Sequence, residues 1–260
     1  MKSNFFKYVF AIFVICIMVF AVYKIKTEEK KEEEQQATIS TEEKKVTEIT
    51  LGVASLDSTN PILSKNKNIQ DISRLVYEPL IQITSDYKAE GCLAKEWAKQ
   101  NATTYIIKLK ENVRWSDGEK FTADDVEFTI KAIMDSDNES EIASNYEDVT
   151  AINVIDDKTI SFTLRDKNVA FLDYMTIGIL PKHLLEGKDM QTDEYFHNPI
   201  GTGPYKIQEW DEGQSITLVK NEDYYKGAPK IDTIVFKIVP DDNAKALQLK
   251  SGEINLAKVT

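Results

Sequence analysis

The sequence is short of the residues on which many catalytic and metal sites depend. It contains two histidines, His183 and His197, and two cysteines, Cys16 and Cys92. The histidines show no spacing typical of metal ligands, and the cysteines stand far apart, so we expect neither a metal site nor a disulfide. No nucleophile, base and orienting group occur in a recognisable arrangement. The sequence therefore predicts no cofactor and favours a protein that is not an enzyme.

Positive charge is also scarce. Lys and Arg number 32 against 43 for Asp and Glu, which gives a formal net charge of -11. Such a surface repels a phosphate backbone over most of its area, so we expect no nucleic-acid partner. Hydrophobic residues make up 42% of the 260 residues, enough for one large core or two small ones. The chain is therefore predicted to be globular.

A long apolar run occurs at the N-terminus, at residues 8–23. Lysines precede and follow it, in the order of a secretion signal. At about 1.5 Å per residue the run gives about 24 Å, which is short for a hydrocarbon core of about 30 Å unless flanking residues extend it. We therefore interpret residues 1–26 as a signal or membrane-anchor segment, which makes the membrane itself a partner.

Three fates of this segment stay open at the level of sequence. The favoured interpretation is a membrane anchor that the mature protein keeps. Cleavage after Ala21 is the second, because Val19 and Ala21 form an acceptable small-residue site. Lipid attachment at Cys16 is the third and weakest, because Val14 and Ile15 stand where small residues are wanted. Each fate places the rest of the chain outside the cytoplasm.

Residues 27–45 are rich in Glu, Lys, Gln and Thr and contain almost no apolar residue. Such a composition cannot bury enough surface to offset the entropy of ordering the chain. The segment is therefore predicted to be a charged disordered tether.

From residue 46 onward the patterns indicate an α/β fold. Helical spacing and capping residues predict helices over residues 68–77, from Thr122 to about Met134, and from Asp241 to Ser251. Thr122 and Asp125 form a capping box at the start of the second helix. Alternating or continuous apolar residues predict strands over residues 46–53, 105–109, 159–164, 205–210, 215–220, 231–239 and 253–259. Antiparallel pairing is expected early in the chain and parallel pairing late.

Six segments, in this order, carry a resemblance to a known family. They are residues 76–80 (VYEPL), 93–97 (LAKEW), 115–118 with 121–126 (WSDG and FTADDV), 199–205 (PIGTGPY), 221–225 with 229–232 (NEDYY and PKID), and 251–255 (SGEIN). Together they resemble the extracellular solute-binding proteins of the oligopeptide, dipeptide and nickel ABC importers. Trp115-Ser116 and Asn255 depart from the residues that are more usual in that family.

The resemblance implies a lobe like that of periplasmic binding proteins, built on mixed sheets. Family members are much longer, two-lobed clamps, so residues 46–260 resemble the N-terminal lobe, with the second lobe absent from this chain. The sequence is then a fragment of a longer product or the product of an interrupted gene.

The function implied by the resemblance is that of the substrate-binding component of an ABC importer. Such a component captures peptides or similar solutes at the extracytoplasmic face of the cell membrane and delivers them to a membrane permease. A receptor that presents its ligand to a signalling or pheromone pathway is the alternative, and a cell-surface enzyme is less favoured. Peptides, nickel chelates and sugars are all compatible ligands.

The resemblance also points to three loops as ligand contacts, because binding residues concentrate on loops that a rigid scaffold holds in place. The predicted contact residues are Ser55, Asp57, Asn60, Asn145, Tyr146, Met175 and Thr176. The three tryptophans, in contrast, are predicted to fill the core.

Overall fold

The computed structural model describes residues 47–257 together with residues 24 and 26. The apolar run and the predicted tether lie outside these residues, as does Cys16. Among the residues described, no helix combines the length and the apolar character needed to cross a bilayer.

A five-stranded mixed sheet brings the two ends of the described chain together. Its strands are β1 (Glu48–Val53), β8 (Tyr205–Asp211), β9 (Ser215–Lys220), β10 (Thr233–Ile238) and β11 (Leu256–Ala257), in the order β11-β1-β10-β9-β8. β1 runs parallel to β10 and β11, whereas β9 is antiparallel to β8 and β10. The predicted strands and the late parallel pairing are confirmed, although β10 and the described part of β11 are shorter than predicted.

The middle of the chain forms a second, antiparallel sheet. Its strands are β4 (Ala94–Lys99), β5 (Thr104–Leu109), β6 (Val149–Asp156) and β7 (Thr159–Leu164), in the order β4-β5-β7-β6. A separate hairpin joins β2 (Ile81–Ile83) to β3 (Ala89–Gly91). β5 and β7 match the predicted strands, whereas β2, β3, β4 and β6 were not predicted. One continuous hydrophobic core includes residues from both larger sheets.

Residues 47–257 contain four α-helices: α1 (Lys67–Val76), α2 (Ala123–Met134), α3 (Lys182–Leu185) and α4 (Asp242–Ser251). The predictions for α1, α2 and α4 are confirmed to within a residue or two at each end. α1 buries an apolar face formed by Ile69, Ile72 and Val76. Ser73 is buried on the same face, whereas Gln70 and Arg74 are exposed beside it.

The side chain of Asp125 holds the start of α2 in place through three hydrogen bonds. One carboxylate oxygen of Asp125 accepts the backbone N–H of Thr122 at 2.9 Å and the indole N–H of Trp115 at 3.3 Å. The other oxygen accepts the N–H of Lys182, at the start of α3, at 3.0 Å. The capping residue predicted from sequence therefore also ties α2 to two distant segments. As predicted, Ile130 faces the core and is completely buried.

The glycines of the segment 199–205 allow β8 to begin against the end of α1. A Cβ on Gly201 would lie 1.8 Å from the carbonyl oxygen of Val76, and one on Gly203 would lie 2.4 Å from that of Leu75. The N–H of Gly203 donates to the Val76 carbonyl at 2.9 Å. Only a residue without a side chain fits at this distance, so the motif has a packing role.

Candidate functional site

A groove of about 300 Å³ runs along one side of α1. α1 and the residue after it contribute Gln70, Ser73, Arg74 and Tyr77, which recur at the spacing of one helical face. The hydroxyl of Ser73 donates to the Thr59 carbonyl at 3.2 Å. Ser73 and Tyr77 are buried, so Gln70 and the cation Arg74 are the exposed polar groups that α1 offers the groove.

The rim of this groove carries an ion pair between two distant segments. The ammonium of Lys65 lies 2.6 Å from a carboxylate oxygen of Glu141, and both side chains remain mostly exposed, at 70% and 65%. Thr176, Ile177 and Gly178 form the facing wall. The groove is thus open to solvent on the side of the ion pair.

The wall at Gly178 approaches α1 closely. A Cβ on Gly178 would lie 2.7 Å from the Cβ of Tyr77, and Gly178 forms an isolated β-bridge with Pro79. A larger residue at position 178 would push the wall outward. The glycine therefore sets the width of the groove at this point.

A second groove, of about 460 Å³, adjoins the first. Arg74, Pro79 and Thr176 line both grooves. The second groove continues to Glu78 and Lys226. The two grooves therefore meet at three shared residues and offer an extended path.

A buried carboxylate lies in the wall of the second groove. One oxygen of Glu78 accepts the hydroxyl of Tyr224 at 2.7 Å and the ammonium of Lys226 at 2.8 Å. Burial, together with this hydrogen bond to Glu78, raises the pKa of the Tyr224 hydroxyl far above its ordinary value. Tyr224 therefore stays protonated and acts as a donor.

Cys92 lies beside this carboxylate as a free, buried cysteine. Its sulfur is 3.8 Å from the ammonium of Lys226. Burial raises the pKa of the Cys92 thiol despite the nearby lysine. A protonated, buried thiol is a poor nucleophile, so the arrangement suits structure better than catalysis.

The first predicted contact loop precedes α1 in the chain. Ser55 and Asp57 are exposed, and each bonds a residue just before α1: the Ser55 hydroxyl accepts from the Asn66 amide at 2.9 Å, and Asp57 accepts from the Ser64 hydroxyl at 3.1 Å. Asn60 is buried, and its amide donates to the Met190 carbonyl at 2.7 Å.

The other predicted residues lie in two segments, residues 145–146 and 175–176. Tyr146 and Met175 are buried, and the Tyr146 hydroxyl donates to the Tyr174 carbonyl. Asn145 is half-buried. Thr176 is exposed and is the one of the seven predicted residues that lines the two grooves. Its hydroxyl donates to the Asp173 carbonyl at 2.8 Å, which leaves the oxygen able to accept a bond.

Sequence reasoning missed the side of α1 that lines the groove. Gln70, Ser73 and Arg74 line the groove, although none of them was predicted as a contact. A signal was present, because the polar residues Gln70 and Arg74 stand at helical spacing beside the buried Ile69 and Ile72. The signal indicates a polar helix face but does not tell whether that face borders a groove or bulk solvent.

Known proteins match most of the described chain. A family model described as "Bacterial extracellular solute-binding proteins, family 5 Middle" matches residues 88–260. The oligopeptide-binding protein AppA of Bacillus subtilis is 33% identical over 207 residues, covering 77% of this chain and 38% of that protein. The glutathione-binding protein GsiB of Salmonella typhimurium is 30% identical over 195 residues, covering 72% and 37%.

Solved structures agree with these matches. NikZ from Campylobacter jejuni, in complex with Ni(L-His), superposes with a TM-score of 0.77 at 34% identity, covering 83% of this chain and 43% of that one. AppA from Bacillus subtilis, in complex with a nonapeptide, gives a TM-score of 0.77 at 31% identity, covering 82% and 44%. The chain thus spans well under half the length of these relatives. On the family model and the shared α/β fold, this chain belongs to the bacterial extracellular solute-binding proteins of family 5.

Proposed function

We propose that the chain forms part of an extracytoplasmic substrate-binding component of an ABC importer, which captures peptides or similar solutes and delivers them to a membrane permease. The observation that carries the proposal is the pair of joined grooves along α1, in a chain that belongs to a solute-binding family. The role is binding and release without chemical change to the solute.

A peptide is the solute class that the grooves favour. An extended main chain needs hydrogen-bond donors and acceptors along its length together with apolar surface for its side chains. Gln70, Arg74 and Thr176 supply polar groups, and Leu63 and Ile177 supply apolar surface. Among the relatives, AppA is named for oligopeptides and GsiB for glutathione, whereas NikZ was solved with a nickel–histidine chelate.

The predicted contact residues divide into two roles in this proposal. Thr176 contacts the solute directly, and Asn145, Ser55 and Asp57 do so from the surrounding loops. Asn60, Tyr146 and Met175 are buried and hold those loops in place.

Localisation follows from the N-terminal segment. We expect residues 8–23 to hold the protein at the outer face of the cell membrane, because lysines flank this apolar run. Membrane fractionation with N-terminal sequencing tests the expectation. Recovery of the whole protein from the medium, with Val22 as its first residue, would show that the segment is a cleaved signal.

The solute class is tested by retention on the immobilised full chain in detergent. Three probes are offered separately: a mixture of tripeptides, the nickel–histidine chelate, and a mixture of short oligosaccharides. We expect the tripeptides to be retained above the other two, as measured by mass spectrometry. Retention of the chelate or of the oligosaccharides instead would change the ligand class, and retention of none would overturn the proposed function.

A further inference from the structure

Arg74 occupies the junction of the two grooves. Together with Pro79 and Thr176, it lines both of them. A ligand that extends from one groove into the other must therefore pass the Arg74 side chain. Its position on α1, a ten-residue helix anchored by a buried apolar face, fixes where its charge is presented.

Arg74 is also the least neutralised of the cations that line the grooves. Lys65 lies 2.6 Å from Glu141, and Lys226 lies 2.8 Å from Glu78. Among the described residues, the carboxylate nearest to Arg74 is that of Asp71, with 3.8 Å between Nη1 and Oδ1. The Arg74 side chain remains 72% exposed. Most of its N–H donors therefore face solvent in the groove.

We infer that Arg74 binds a carboxylate of the solute, so that the grooves select ligands that carry one; this inference rests on the proposed function. A guanidinium presents paired N–H donors in a plane that matches the two oxygens of a carboxylate. The net charge of -11 would repel an anion from most of the protein surface. A local cation at the junction supplies the attraction that such a ligand requires.

The test compares two tripeptide mixtures that differ only in the carboxylate. Both mixtures are N-acetylated; one has free C-termini and the other C-terminal amides. Neither contains Asp or Glu, so the C-terminus is the sole carboxylate. They compete for the immobilised full chain in detergent, and the retained peptides are quantified by mass spectrometry.

Wild-type protein should retain the free acids over the amides by about tenfold, a ratio that corresponds to 1.4 kcal/mol. Arg74→Gln should abolish the preference. Arg74→Lys should restore part of it, because a lysine keeps the charge without the planar pair of donors. Arg114→Gln is the control and should leave the ratio unchanged, since Arg114 is exposed outside both grooves and donates to the Gly118 carbonyl.

The outcomes separate this inference from the proposed function. Equal retention of acids and amides by wild-type protein, or an unchanged ratio in Arg74→Gln, overturns the role of Arg74 and leaves solute binding intact. Retention of neither mixture overturns both. Thermal unfolding of Arg74→Gln should match that of wild-type protein, which excludes loss of fold as the reason for a lost preference.

Discussion

Glu78 and Lys226 lie 148 positions apart in the sequence, yet their side chains form an ion pair of 2.8 Å. The pair joins the end of α1 to the loop that follows β9. The Glu78 side chain is only 6% exposed, whereas that of Lys226 is 37% exposed. A nearly buried carboxylate in the wall of the second groove therefore depends on one partly exposed lysine for its counter-charge.

Removing that lysine should destabilise the protein. Lys226→Met leaves the Glu78 carboxylate without its cation, and breaking a buried pair typically costs about 3–5 kcal/mol. We expect a cost of about 2 kcal/mol, because the exposure of Lys226 lets water screen the pair. Urea unfolding measures it.

The matched control is Lys108→Met, because Lys108 pairs with Glu96 at 2.7 Å while both side chains remain more than half exposed. It should cost less than about 1 kcal/mol. Equal costs for the two lysines would show that burial of Glu78 has no energetic consequence.

The second prediction concerns the start and the buried face of α2. Thr122→Ala should cost about 1 kcal/mol through the lost cap, and Ile130→Ala should cost about 2–5 kcal/mol through the cavity it leaves. Ile155→Ala, at a site that is 58% exposed, is the control and should change stability by less than about 0.5 kcal/mol. A neutral Ile130→Ala in urea unfolding would contradict the placement of α2 against the core.

Local signals in the sequence were sufficient to predict the elements that have strong caps or clear periodicity. α2 has a capping box and an apolar stripe, and α4 has Asp241 as its N-cap and Gly252, with φ 80°, as its C-cap. The hairpin of β8 and β9 was predictable because two alternating runs flank Gly213. In each case the information lies within the element and its ends.

β4 and β6 could not be predicted in the same way. Both are edge strands of the four-stranded sheet, and β4 exposes four of its six residues and β6 four of its eight. The sequence of β4, AKEWAK, has little apolar alternation, because only one side of the strand meets the core. Hydrogen bonds to β5 define the strand, and such bonds are invisible in a local pattern.

The site was predicted less completely than the fold. Burial of Asn60 and Tyr146 depends on the carbonyls of Met190 and Tyr174, which are distant in sequence. Burial of the tryptophans was likewise only partly predicted. Trp115 is buried as predicted, whereas Trp97 and Trp210 are only partly buried. Which polar residues line a groove is decided by contacts between segments rather than by the segments themselves.

The third prediction is a dependence of stability on pH that arises from Asp125. Burial raises the pKa of the Asp125 carboxyl above its ordinary value of 3.8, although hydrogen bonds from Thr122, Lys182 and Trp115 oppose the shift. A carboxyl that binds its proton more tightly in the folded state stabilises the fold below its unfolded pKa. This contribution is lost as the pH rises through the folded pKa.

Asp125→Asn removes this contribution together with part of the hydrogen bonding that the Asp125 carboxylate accepts. The difference in unfolding free energy between wild-type protein and Asp125→Asn should therefore shrink as the pH rises from about 3.5 to about 7. Urea unfolding at several pH values measures it, with the exposed Asp124→Asn as the matched substitution. A difference that widens over the same range would contradict the direction of the shift.

The fourth prediction compares two glycines, of which Gly201 is packed against backbone and Gly187 has a positive φ in open space. Gly201→Ala should cost about 3 kcal/mol or more, because the new Cβ would collide with the carbonyl of Val76. Gly187→Ala should cost only about 1–2 kcal/mol, since its φ of 77° strains a side chain but no atom lies within 4 Å. Thermal unfolding of the two variants measures both losses of stability. Equal losses would indicate that β8 can move away from α1.

The most direct test of solute binding along α1 is a calorimetric titration of the full chain in detergent with the most strongly retained tripeptide. We predict a dissociation constant in the high micromolar range, because the open groove buries only part of a ligand that still loses about 4–15 kcal/mol of motional freedom. Thr176→Ala should weaken this binding. Thr192→Ala should not, because Thr192 makes a similar local hydrogen bond, to Asp189, outside both grooves. No heat of binding at millimolar peptide, or equal affinities for the two threonine variants and wild-type protein, would contradict the account.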